Sequence, residues 1–188
     1  MKYFNRKIYT FSLLMADLAW LVKHVKHFSR AKKAKRVSNS FREKIMLVTT
    51  AVNGCVYCAW YHAKLSIKIG VDREEVKNLL NLQFNANSTD FETIGLLFAQ
   101  HYAETDRNPD KEMIDKLYDF YGEETARDII LFIRAIYFGN LSGNTFDAFL
   151  SRRKGLKAKN SNALFEFVFF LFSAPILWPT LPYVKKYR

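Results

Sequence analysis

The stretch from Phe41 to Gly70, FREKIMLVTTAVNGCVYCAWYHAKLSIKIG, constrains this chain more than any other, because it prescribes two helices and the turn between them. Asn53-Gly54 is suited to positive φ, so a helix through Leu47 and Val48 ends there and a second begins at once. Gly70 closes the second. Ser38 or Ser40 opens the first, and Glu43, three residues after Ser40, fits the S-x-x-E capping pattern. Glu43 therefore belongs to the helix next to the one that carries both cysteines.

The same punctuation runs along the rest of the chain. Between Ile8 and Phe28, apolar residues recur at Leu14, Leu18, Leu21, Val22 and Val25, the pattern of an amphipathic helix packed on a core. Asp72 caps another helix with Glu75 in its first turn, leading to Leu79 and Leu80. A polar loop, Asn85 to Asp90, precedes a helical period from Phe91 to Glu104. Pro109 suits position N1 of a helix that runs through Tyr121 and stops at Gly122. From Glu123 to about Leu150 the chain is rich in Ile, Leu and Phe, with Gly139 and Gly143 allowing a kink or close packing. No β-alternation is sustained. The expectation is an all-α fold of about seven to eight helices in one domain over residues 1–160, followed by an apolar, aromatic extension over 161–188.

The net charge of +11 is unevenly spread. Residues 1–44 carry 12 basic against 2 acidic side chains and residues 151–188 carry 8 against 1, whereas residues 45–150 carry 9 against 15. Basic ends around an acidic middle suit contact with an anionic surface or simple solvation. The run Arg30 to Arg36, RAKKAKR, fits a solvated loop or a lipid-facing strip; without an aromatic platform or a nucleic-acid motif it argues against nucleic acid as the partner. Met1 to Lys7 is basic, but Ile8 to Val25 is interrupted by Asp17 and Lys23 and lacks a small-residue cleavage site, so no signal peptide is expected there and the location expected is cytoplasmic. Leu164 to Val184 is largely apolar and aromatic, with Glu166 as its one charge. Pro175, Pro179 and Pro182 should end regular helix near Ser173, which favours packing within an oligomer, or a membrane-interface seat with Trp178 and Tyr183 as belt residues, over a span.

The chemistry lies in the cysteine helix. Cys55, Cys58 and His62 fall at i, i+3 and i+7, along one helical face. The free amides of a helix N-terminus favour a thiolate, and moving a thiol from its usual value to about 6.5 raises its ionised fraction at pH 7 from about 3% to about three-quarters. His62, four residues after Cys58, is placed to act as base, and Glu43 to hold its imidazole. Two cysteines so close cannot form a disulfide framework for a domain of this size. Three other readings stand beside the redox one: Glu43 as a helix cap, the cysteines as an inert buried pair, and a zinc site, which lacks a fourth ordinary ligand. His24, His27 and His101 read as packing or surface residues rather than metal ligands.

The pattern Glu43-x11-Cys55-x2-Cys58-x3-His62, set in NGCVYCAWYHAKLSIKIGVDREEV, resembles the alkylhydroperoxidase D-like branch of the carboxymuconolactone decarboxylase family. GLLFAQHYAETDRNPDKEMIDKL and YFGNLSGNTFDAFL are similar to that family's second half, so the resemblance spans about Arg42 to Leu150. It implies an oligomeric helical fold and a peroxidase-like oxidoreductase without metal or organic cofactor, with a decarboxylase-like activity as the alternative, since decarboxylase members are similar in fold but generally lack the cysteine pair. It further implies that Cys55 and Cys58 cycle between dithiol and disulfide while Glu43 and His62 relay protons. Cys58 is then the expected attacking thiol and Cys55 the resolving one. The implied partners are a hydroperoxide, an external dithiol reductant and further copies of the chain. Tyr57 departs from the histidine that the best-known peroxidase members carry between the cysteines, and Asn144 corresponds to a late asparagine of the family.

Overall fold

A computed structural model describes residues 3–84, 91–159 and 161–184. The predicted loop over 85–90 and the basic Lys185, Lys186 and Arg188 lie outside the described residues. Seven α-helices are present among them: α1 (Phe11–Ala34), α2 (Asn39–Asn53), α3 (Val56–Lys68), α4 (Arg73–Leu80), α5 (Thr93–Glu104), α6 (Lys111–Arg152) and α7 (Ala163–Leu177). A two-residue parallel ladder, β1 (Tyr3–Phe4) with β2 (Lys157–Ala158), ties the N-terminal segment beside the end of α6. The all-α expectation holds.

Helix α2 is the centre of the packing. Phe41, Ile45, Met46, Leu47, Val48, Thr49 and Thr50 are all buried, and the helix is surrounded by α3, α4, α5 and α6. A helix buried nearly all round has no polar face to give to solvent, so it serves as the post on which the others pack. It ends as its sequence predicts: Gly54 takes φ 68° and its N–H returns to the Thr50 carbonyl. Asp72 caps α4 by accepting the amides of Glu74 and Glu75. Gly122, at φ 74°, interrupts α6 where a stop was expected.

Four expectations need correction. Pro109 is not at N1 of α6, because Asp110 takes the cap position and Lys111 begins the helix. In α1 the apolar stripe does not all face the core: Leu13, Leu14, Trp20 and Phe28 pack inward, whereas Val22 and Val25 are exposed. The basic run is not a loop. Arg30 to Ala34 form the last turns of α1, where cations complement the helix dipole, and Arg36 just beyond pairs with Glu124 and Asp128 of α6. Finally, Pro175 does not end the last helix near Ser173. Helix α7 continues to Leu177, and a 3-10 turn carries on to Thr180, because a proline removes only its own bond to the carbonyl at i−4, here that of Leu171, whose side chain is half-exposed.

One edge of α7 packs on its own chain, a seat not foreseen for this segment. Phe170 lies 4.5 Å from the Phe149 ring and stacks on Phe146 at 5.1 Å, and Tyr183 stacks on Trp60. Buried Glu166 is held by Arg152, with Nε to Oε2 at 2.7 Å. The opposite edge, including Leu171, Phe172 and Ile176, is exposed. By length and composition alone, Ala163–Thr180 could cross a membrane.

Candidate active site

Helix α3 begins at Cys55, which takes the N-cap position itself: its sulfur accepts the Cys58 amide at 3.3 Å. Cys55 is fully buried. Cys58, one turn on, is half-buried and lines a cleft of about 510 Å3. His62, a further turn along, lines the same cleft. The helix N-terminus thus directs an amide at Cys55. Burial and the neighbouring Cys55 push the Cys58 thiol well above its ordinary value, the reverse of the expected activation of that sulfur.

Glu43 reaches this helix from α2. Its Oε2 lies 2.7 Å from His62 Nδ1, and its Oε1 accepts from Nε and Nη2 of Arg42 at 3.3 Å each. A carboxylate only accepts, so Nδ1 carries the proton in this contact and Nε2 is the ring nitrogen available to the cleft. The predicted capping box is not formed. Ser38 caps α2 by accepting the Phe41 amide, which leaves the buried Glu43 carboxylate to His62 and Arg42.

Helix α6 crosses the cysteines through two glycines. A Cβ at Gly143 would lie 2.6 Å from Cys55 Sγ, whereas one at Gly139 would lie 4.0 Å from Cys58 Sγ. Of the two roles expected for these glycines, close packing is the one realised. The next residue after Gly143, Asn144, donates to the carbonyls of Asn53 and Lys7, tying α6 to the turn before Cys55 and to the N-terminal segment.

Tyr57, between the cysteines, is buried, and its hydroxyl donates to Asp147 Oδ1 at 3.1 Å. Asp147 also pairs with Arg6, whose Nη1 donates to the Gly54 carbonyl at 3.2 Å. Arg6 and Asp147 were not among the residues singled out from sequence. Nothing local marks them, since they lie 141 positions apart and meet only through the fold. Of the other histidines, His24 stacks on Trp20, His101 Nε2 accepts the Asp110 amide, and His27 is exposed.

Residues 16–87 match the model of the carboxymuconolactone decarboxylase family. The match covers less than half of the chain. The matched segment runs from within α1 past the end of α4 and holds Glu43, Cys55, Cys58 and His62. It starts earlier than the resemblance quoted above, taking in most of α1, and it stops short of α5, α6 and α7. No curated protein and no solved structure is detectably similar to the chain.

Proposed function

We propose that the chain is a thiol-disulfide oxidoreductase that reduces hydroperoxides through Cys58 and Cys55, with His62 and Glu43 as proton relay. The observation that carries this reading is the 2.7 Å contact of buried Glu43 with His62, beside a free thiol that opens on the same cleft. A thiol whose ionisation is disfavoured by burial needs a base at the moment of attack. His62 Nε2 takes the Cys58 proton, and Glu43 stabilises the imidazolium through Nδ1. The Cys58 thiolate attacks the distal peroxide oxygen: the S–O bond forms, the O–O bond breaks, and the departing alkoxide takes the proton from His62 to leave as an alcohol. Cys55 then attacks the Cys58 sulfenic acid, forming the disulfide and releasing water. An external dithiol reopens the disulfide by exchange and is itself oxidised to a disulfide. In this reading the protein works in the cytoplasm as an assembly of copies, with the exposed edge of α7 available to a membrane face.

The test is mass spectrometry of the reduced protein after one equivalent of hydroperoxide. The expected product loses two hydrogens and yields a Cys55–Cys58 linked peptide, while Cys58→Ser turns over no hydroperoxide. Two thiols that remain free and unreactive would overturn the reading and favour the alternative of a membrane-associated or scaffolding protein with inert cysteines.

A further inference from the structure

Helix α7 lies outside the segment matched to the family, yet it builds one wall of the cleft above Cys58. Phe169, Phe172, Ile176 and Leu177 line the cleft together with Cys58 and His62. The two hydroxyls on that wall have given their protons away: Ser173 donates to the Phe169 carbonyl and Thr180 to the Leu177 carbonyl, both at 2.7 Å. What α7 offers a ligand is therefore hydrocarbon. Much of it is bare, since Phe172 is 81% and Ile176 74% exposed. Exposed apolar surface concentrated beside a reactive group marks a place where a ligand completes the burial. On the opposite wall Gly139 and Gly143 add no side chain, so the approach to the Cys58 sulfur stays open.

From this juxtaposition we infer that α7 is the specificity wall of the site and commits it to substrates with a long apolar body. On the thiol-disulfide reading, on which the choice of electrophile rests, the substrate is a long-chain alkyl hydroperoxide with its peroxide at Cys58 and His62 and its chain along α7. The bond changes are those given above, with the long-chain alcohol as product and a dithiol as reductant. A small peroxide fits the cleft but buries nothing against α7. Each methylene taken from water is worth about fourfold in relative rate until the cleft is full.

The test separates the wall from the peroxide chemistry. The reduced full-length protein is treated with N-ethyl-, N-hexyl- and N-dodecylmaleimide, and the adduct at Cys58 is followed by mass spectrometry, each rate being divided by that of free cysteine. In parallel, kcat/KM is measured for hydrogen peroxide, tert-butyl hydroperoxide and a fatty-acid hydroperoxide. Both series are expected to climb with chain length. Ile176→Asn, at an exposed position that tolerates polarity, should cut the ratio of dodecyl to ethyl rates by about tenfold. Leu164→Asn, on α7 but away from the cleft, should leave that ratio as it is. A flat maleimide series, or a slope indifferent to Ile176→Asn, overturns the inference. A maleimide slope with no hydroperoxide turnover supports the wall and sinks the peroxidase reading; turnover indifferent to chain length does the opposite.

Discussion

At the scale of single residues, the Glu43–His62 contact and the two glycines make separable claims. Glu43→Gln keeps the shape of the carboxyl group but removes the charge that stabilises an imidazolium at His62. Hydroperoxide turnover should fall by about 100-fold, the low end for losing acid–base assistance, with thermal stability little changed. Steady-state kinetics beside a melting curve checks both halves. Gly143→Ala should destabilise the fold by about 1–3 kcal/mol in urea denaturation, because the new methyl meets Cys55 Sγ at 2.6 Å and overpacking outweighs the gain in helix propensity. Gly139→Ala has room, its nearest neighbour lying at 3.8 Å, and should be neutral or stabilising by up to about 1 kcal/mol. Equal effects at the two sites would mean that α6 does not press on the cysteine turn.

At the scale of elements, the site depends on how the α2–α3 turn is held from outside. Arg6 from the N-terminal segment and Asn144 from α6 bond to the backbone at Gly54 and Asn53, and Asp147, also from α6, holds Arg6. Asp147 is buried, so Arg6→Ala takes from its carboxylate the charge and hydrogen bond that Arg6 supplies. The cost should be about 2 kcal/mol, below that of a fully buried pair because Arg6 keeps a quarter of its side chain in water. Denaturation of Arg6→Ala, Asp147→Asn and the double variant checks this, since the double should cost less than the sum of the singles. Helix α7 shows the limit of reading one element by itself. Its prolines predicted an early stop, yet the helix runs to Leu177, because Phe146 and Phe149 of α6 provide a seat that local sequence cannot display.

At the scale of the whole molecule, the Cys58 thiol links stability to pH. Its pKa is raised in the folded protein, so above the ordinary thiol value of about 8.5 the unfolded chain loses this proton first. Fewer protons bound to the unfolded state means that stability falls as pH rises. The loss from this group is at most about 1.4 kcal/mol per pH unit. Urea denaturation from below to above that value should show a slope that Cys58→Ser lacks. Burial and their bonds to Asp17 and Asp106 likewise raise the Tyr9 and Tyr137 phenols, adding a drop of the same sign above about pH 10 that both proteins share.

The sequence by itself determined what short range can encode. The helical periods, the reversal at Asn53-Gly54, the Asp72 cap and the break at Gly122 all depend on residues within a few positions of one another. The spacing of Cys55, Cys58 and His62 on one helix was legible for the same reason. Tertiary structure alone decided whether Glu43 caps α2 or reaches His62, because Ser38 took the cap and burial left the carboxylate to its neighbours. It also decided that Cys55 receives the helix amide while Cys58 faces the cleft, that Arg6 and Asp147 brace the turn, and that α7 roofs the thiol. Each of these depends on which side of an element meets which neighbour, and that is set by packing across the whole chain.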